Sequence, residues 1–428
     1  MTENAYARSG VNVDAGDRAV ELMKADVQAT QGPEVLSAKK TGGFAGLYDF
    51  KYLAEGMRHP LLATSTDGVG TKVDLARRLG IFDTLGYDLV GMVVDDLTTS
   101  GIKPLFMTDY IACGHVEPER IAAIVRGVAK ACAEVGCALV GGETAEHPGL
   151  LGEDEFDMAG AATGVVDAPR LLGPARVCAG DMIVGFASSG LHSNGYSLVR
   201  KIVSDQGLDW DMPLPDFIKP PAGSPFADRV GSTKANDSAS GSTSATGSTS
   251  ANPAASAYTL GLACLEPTRL YSRLCLDLEN QGGEAAWYAG DFSEELDGNR
   301  VHAFAHVTGG GLAANLARVI PAGLHAVVDR SAWPVPALFK FLMDRGNIDQ
   351  TSAEDTWNLG IGMVAIVHPD FVRVAEEAAA NAGIGATVIG RVGDSAPASA
   401  EAAPETRTIS GTKGVEGGTV TLHGTYRF

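Results

Sequence analysis

Residues 61–72 read LLATSTDGVGTK: an apolar, strand-like run that closes on an acid, followed by glycines, a hydroxyl and a lysine. A strand running into a Gly-rich turn places Asp67 at a strand's carboxyl end, where ligands of α/β sheets gather. Gly68 and Gly70 allow close approach of backbone to a ligand, and Thr71 and Lys72 supply the donors a phosphate attracts. The segment is not a P-loop, which would need G-x-x-x-x-G-K followed by Ser or Thr. The plainer alternative is a tight turn carrying an exposed lysine.

Working outward, strand-like runs recur at Leu89–Val94, Leu105–Ile111, Ala138–Val140 and Ala159–Val166. Among them lies an amphipathic helix, Pro118–Val135, with Ile121, Ile124, Val125 and Val128 on one face. This alternation predicts an α/β domain over 1–168. A second set follows over 169–394: strands at Met182–Ala187, Val301–Val307, Ala326–Val328 and Ile361–Val367, and helices at Ser193–Ser204, Pro267–Leu278 and Gly311–Val319. Residues 231–257 collapse to Gly, Ser, Thr, Ala and Asn and predict a disordered insertion in the second domain. Residues 395–428 read as a poorly ordered extension. The stretch Lys39–Gly46 reads as a mobile loop.

A net charge of −19 argues against nucleic acid or an anionic membrane as a partner, while leaving room for an anionic substrate whose charge is neutralised locally. The six cysteines form no C-x-x-C pair and read as buried free thiols. The N-terminus carries no signal-peptide pattern and no apolar run is long enough to span a membrane, so the expected compartment is the cytoplasm.

Three carboxylates share one context, each closing an apolar run: Asp67, the pair Asp95-Asp96, and Glu143 after Ala138–Gly142. Acids delivered together repel unless cations lie between them, and Mg²⁺ suits carboxylates that bridge to phosphate. The bland reading is helix capping or turns. In the second half, Ser188–Gly195 is crowded with polar donors around His192, a candidate for proton transfer or a structural hydrogen-bond partner. His306–Gly311 ends a strand and opens a helix, where bare amides bind phosphate. Gly309-x-Gly311-x-x-Ala314 with Asp329 also admits a Rossmann dehydrogenase. Trp333-Pro334-Val335-Pro336, and the idle acids and Lys72, speak against it. A binding module without catalysis would not need a metal–phosphate centre.

In order, SGVNVDAG (9–16), STDGVGTK (65–72), DLVGMVVDDL (88–97), PLFMTDYIACG (104–114), LVGGETAEHPG (139–149), SSGLHSNGYSLVR (188–200), EPTRLY (266–271), HVTGGGLAANLARVIP (306–321) and TWNLGIGM (356–363) resemble the phosphoribosylformylglycinamidine cyclo-ligase, or AIR synthetase, family. The resemblance implies a two-domain fold with mixed α/β sheets and a homodimer whose N-terminal sheets pair into a barrel. It implies ATP and Mg²⁺ as cofactors and a ribonucleotide substrate, formylglycinamidine ribonucleotide, closed to aminoimidazole ribonucleotide. By matching position, Asp67, Asp96 and Glu143 would hold Mg²⁺. Gly42, Gly43, Gly68, Gly70, Thr71 and Lys72 would serve ATP, with Lys72 on its phosphates. Ser188, Ser189, His192, Asn194, Thr308, Gly309, Gly310 and Gly311 would bind the substrate, with His192 activating the formyl group. Asp95 stands where the family more often carries Asn and would alter metal affinity or face solvent. Selenophosphate synthetase and thiamine-phosphate kinase share the paired acids but are not expected to share HSNGYSLVR and HVTGGG together.

Overall fold

The computed structural model describes residues 12–36, 45–227, 257–281, 300–394, 406–411 and 418–428. Gly42, Gly43 and residues 231–256 of the insertion therefore lie outside the described residues.

The first described elements are a helix, Val13–Ala29, capped by the Asn12 side chain, and a small antiparallel pair of β1 (Val35–Leu36) and β2 (Leu47–Tyr48). Four strands then form the N-terminal sheet: β3 (Pro60–Gly68), β4 (Lys103–Cys113), β5 (Ala138–Glu146) and β6 (Phe156–Asp167), in the order β3-β6-β4-β5. Only the β4/β5 pair is parallel. Its crossover is the helix Pro118–Val135, started by Pro118 in its first turn and stopped by Gly136 in the left-handed conformation.

The run Leu89–Val94 is not a strand, as its sequence suggested, but the middle of the helix Leu85–Thr98. Nearly all of this helix is buried. A helix covered on every side keeps no polar stripe, so its apolar run has no period to betray it. It crosses the helix Pro118–Val135 at paired glycines, where a Cβ on Gly86 would lie 2.0 Å from the Gly127 backbone. Both helices cover one face of the sheet. On the other face, Leu62 is 60% exposed and Tyr110 42%.

The second sheet has seven strands in the order β12-β13-β9-β11-β7-β10-β8. They are β7 (Met182–Ala187), β8 (Val301–His306), β9 (His325–Asp329), β10 (Ile361–Val367), β11 (Ala386–Gly393), β12 (Arg407–Ser410) and β13 (Thr419–His423). β8 and β10 are buried along their whole length, because both faces of the sheet are covered. Ala303, Ala305, Val364 and Ile366 face the main core, which is continuous with that of the N-terminal half. Phe304, Met363 and Ala365 face a second core built with Leu274, Leu278, Ala375 and Ala379 from the helices Ser272–Gln281 and Val372–Asn381.

The strand order removes one alternative, and the tail corrects one expectation. All pairs in this sheet are antiparallel except β13/β9, and β8 and β9 are not neighbours. The parallel βαβ unit of a dinucleotide-binding domain is thus absent after Gly309-x-Gly311. The C-terminal extension is also not loose over its described residues: β12 and β13 extend the sheet. Val420 and Leu422 are buried, and the buried Arg330 guanidinium donates to the Leu422 carbonyl (3.2 Å) and to Glu354 (2.7 Å). Arg407 on β12 reaches the same Glu354 at 3.1 Å. Tail composition averages away two short strands whose stability comes from docking onto a sheet edge. Of the cysteines, Cys178 is exposed and the other five are buried.

Candidate functional site

β3 delivers Asp67 to the surface, its carboxylate accepting from the Gly68 amide at 2.7 Å. The turn continues through Gly70 in the left-handed region into the helix Lys72–Leu79. The second half of the chain seats it: Ser193 Oγ donates to the Val69 carbonyl at 2.6 Å, and Thr71 Oγ1 lies 3.4 Å from Ser197 Oγ. Lys72 is fully buried. Its ammonium donates to Asp88 (2.7 Å), the His192 carbonyl (3.0 Å) and the Glu266 carbonyl (2.6 Å). Asp88 also accepts from the Thr268 amide and hydroxyl. Burial pulls the Lys72 ammonium below its ordinary range and pushes the Asp88 carboxyl above its own, and their mutual attraction opposes both shifts.

Asp95 and Asp96 sit side by side on a helix, about 100° apart around its axis, so they face different neighbours. Asp95 turns inward, accepting from the Tyr271 amide at 3.1 Å and from the Ser272 hydroxyl. Burial pushes its carboxyl up to about 6, against the pull of His306 and these donors. Asp96 turns outward, its side chain 45% exposed, and lies 2.9 Å from His306 Nδ1. Burial works against a charge on His306, but Asp96, Asp95 and Asp67 outweigh it and raise its pKa above the ordinary value. Asp67, Asp96 and His306 thus share one electrostatic neighbourhood.

His306 ends β8 and leads into Thr308–Gly311. Asn315 gathers this loop by donating to the carbonyls of Thr308 (3.3 Å), Gly309 (3.3 Å) and Gly311 (2.8 Å). Gly311 has φ +71°, and a Cβ there would lie 1.7 Å from the Glu354 carbonyl, so no other residue fits. A Cβ on the exposed Gly309 would stand 3.7 Å from Asn194 Oδ1. The structure therefore brings together Asp67, Asp96, His306, Asn194 and Thr308–Gly311 where the two halves meet.

Residues 54–166 match the AIR synthase related protein N-terminal domain, and residues 283–401 match its C-terminal domain. The chain is 40% identical over 388 residues to the phosphoribosylformylglycinamidine cyclo-ligase of Geobacillus kaustophilus (strain HTA426), covering 91% of this chain and 95% of that one. It is 41% identical to the enzyme of the same name from Thermosynechococcus vestitus (strain NIES-2133 / IAM M-273 / BP-1), covering 90% and 96%. The chain belongs to the AIR synthase family. Thiamine-monophosphate kinase from Stenotrophomonas maltophilia K279a shares the fold at TM-score 0.57 and 17% identity, covering 87% of this chain and 94% of that one. E. coli HypE does so at TM-score 0.54 and 14% identity, covering 89% and 90%.

Several residues to which the AIR synthase resemblance gave roles stand elsewhere. Lys72 is sealed from solvent: two of its donors go to carbonyls of the second half, and the third goes to Asp88, which Thr268 of that half also holds. His192 is fully buried, with φ +60° and Nε2 accepting from the Ser189 amide at 3.1 Å. Burial holds its pKa well below the ordinary value, so it is a neutral packing and hydrogen-bonding group rather than a solvent-facing acid. Ser188 is buried and donates to Asn358 at 3.0 Å, and Ser189 donates to the Pro267 carbonyl at 2.7 Å. Both shape the loop from within.

Glu143 does not join Asp67 and Asp96. The rows Asp67–Gly160–Asp109–Gly142 and Gly68–Ala159–Tyr110–Glu143 run side by side across the sheet. A Cβ on Gly142 would point at Asp109 Oδ1, on the helix-covered side, so alternation sends Glu143 to the open face. Among the described residues, no three His, Cys, Asp or Glu side chains are grouped to hold a metal ion. Two carboxylates remain, which is enough for Mg²⁺ when phosphate oxygens and water complete its shell. Asp95 is buried on its Tyr271 and Ser272 partners and does not face solvent.

The sequence reading gave no role to His306, Asn315 or the clamp formed by Asp88 and Asp95. His306 alone had a visible signal, as the last residue of a strand before a glycine-rich turn.

Proposed function

We infer that this chain is a phosphoribosylformylglycinamidine cyclo-ligase. With ATP and Mg²⁺ it closes formylglycinamidine ribonucleotide to 5-aminoimidazole ribonucleotide in purine biosynthesis, releasing ADP and phosphate. The observation that carries the reading is 40% identity across nine-tenths of both chains to relatives of that name.

The chemistry follows from the leaving group. An amide-like formyl oxygen departs poorly as hydroxide. Transfer of the γ-phosphoryl group to it creates a C–O–P linkage. A substrate nitrogen then attacks the same carbon and loses its proton, and the C–O bond breaks with release of phosphate. The protein's part is positioning and charge neutralisation. Asp67 and Asp96 would hold Mg²⁺, which when bound neutralises charge on the phosphates. His306, anchored on Asp96, can hold a proton beside them, the role first given to His192. Gly68, Gly70 and Thr71 line the approach to this acidic corner. Asn194 and Thr308–Gly311 would take the ribonucleotide. With its carbonyls drawn onto Asn315, the loop is suited to offer amides to a 5′-phosphate.

The homodimer belongs to the same reading, and the open sheet face with Leu62 and Tyr110 supports it. A cytoplasmic location goes with it too; no helix among the described residues is long and apolar enough to cross a membrane. With ¹⁸O in the formyl group, the label should emerge in inorganic phosphate. Label found in water instead would rule out phosphoryl transfer to that oxygen.

A further inference from the structure

The strands β12 and β13 lie beyond residues 283–401, the stretch that matches the family's C-terminal domain, and the reaction assigns them no part. Both are tied to Glu354, in the helix Gln350–Thr356. Arg407 of β12 donates to Glu354 Oε2 at 3.1 Å, to Asp355 at 2.6 Å and to the Thr351 carbonyl at 3.3 Å. Arg330 donates to Glu354 Oε1 at 2.7 Å, and to the Leu422 and Gly424 carbonyls of the tail at 3.2 and 3.4 Å. The Glu354 side chain is 3% exposed. A buried carboxylate gripped by two guanidinium groups is held in place, because moving it would strand charge away from water.

The same helix abuts both loops assigned to the substrate. At Glu354 itself, the backbone carbonyl stands 1.7 Å from where a Cβ on Gly311 would lie, so this residue touches the loop Thr308–Gly311. At the helix end, Thr356 and the Trp357 ring stand 2.7 and 2.6 Å from where a Cβ on Gly195 would lie, next to Asn194. Contacts this close transmit displacement, because a packed interior compresses little. The helix Gly311–Leu316, which carries Asn315, packs against both the helix Gln350–Thr356 and β13. One residue therefore has the tail on its side chain and the phosphate loop on its backbone.

We propose that the C-terminal strands set the shape of the substrate loops through Glu354, with Arg407 and Arg330 as positioning residues for the ribonucleotide's phosphate. This rests on the reading that Thr308–Gly311 takes that phosphate. The three residues act through Gly311 and Gly195 rather than on the reacting atoms. The acidic corner is built without them: Asp67 comes from β3, Asp96 from the helix Leu85–Thr98 and His306 from β8. Loosening the clamp should therefore be felt by the ribonucleotide and not by ATP.

Deleting the tail is a poor probe, since it also bares the sheet edge. Arg407→Ala is a better one: the Arg407 side chain is 23% exposed, and Glu354 keeps Arg330 and Gln350. In steady-state kinetics on the full chain, well below its Tm, the KM for formylglycinamidine ribonucleotide should rise about fivefold. The kcat and the KM for ATP should stay within about twofold of the parent. Arg407→Lys, which returns a cation to Glu354, should recover part of the rise. Asn315→Ala frees the loop directly and should raise the same KM at least as much. A parent that forms no product overturns the cyclo-ligase reading, and an unmoved KM in Asn315→Ala overturns the loop's role; the inference falls with either. With both as expected, a ribonucleotide KM in Arg407→Ala within about twofold of the parent refutes the tail's role alone. So does a loss shared equally by kcat and both KM values, which would make β12 and β13 no more than structural support.

Discussion

Lys72→Met removes the only ammonium between Asp88, the His192 carbonyl and the Glu266 carbonyl, and so asks what Lys72 is for. Asp88 would keep its two Thr268 donors but lose its counter-charge while wholly buried. Breaking one side of a buried ion pair typically costs about 3–5 kcal/mol. Burial already moves both groups toward neutrality, which favours the lower end, about 3 kcal/mol. For domains of this size that is a fall in Tm of roughly 6–12 °C. Adding Asp88→Asn should recover part of it, because the residual penalty is the stranded carboxylate. The assay is thermal and urea unfolding of the single and double variants, with the KM for ATP measured well below the lowered Tm. The KM should move by less than about threefold, since no ATP contact is lost. A Tm within about 1 °C of the parent, with a KM for ATP raised more than about tenfold, would show that Lys72 leaves its clamp to bind phosphate and that the reasoning is wrong.

Burial pushes the Asp109 carboxyl up to about 7, and its Oδ2 has no partner among the described residues. The folded state then holds this proton more tightly than the unfolded chain, so stability should fall as pH rises from the ordinary carboxylate value through about 7. The penalty above that pH is at most about 4 kcal/mol. Asp109→Asn should raise Tm at pH 8.5 while changing it little at pH 4, and a parental Tm flat across this window would contradict the assignment. Asp96→Asn should weaken the Mg²⁺ dependence of ATP turnover by about tenfold or more, whereas Glu143→Gln should leave it nearly unchanged. A Mg²⁺ titration that ranks the two variants the other way would restore Glu143 to the metal centre. Deleting 406–428 removes β12 and β13 and bares β9, with Arg330 and Glu354 losing partners. Tm should fall by more than about 10 °C, and an unchanged unfolding curve would make the tail dispensable.

Where a segment keeps an amphipathic period, or is a short apolar run of strand length, its pattern was readable. The helix Pro118–Val135 and the strands Met182–Ala187 and Ile361–Val367 appear with the bounds their residues suggested. Leu89–Val94 was misread because burial on every side erases helical periodicity. The candidate site divides along the same line. Asp67, Asp96, Asn194 and Thr308–Gly311 converge because strand and helix ends deliver them, and ends can be seen in sequence. That Lys72 and His192 are sealed inside, and that Glu143 points to the far face, depends on which half packs where and on the parity of one strand. Neither is written in a local motif.

The most direct test is the product of the purified chain. Given formylglycinamidine ribonucleotide, ATP and Mg²⁺, it should form 5-aminoimidazole ribonucleotide with one ADP and one phosphate per turnover. ATP hydrolysis without ring closure, or no reaction, would contradict the assignment.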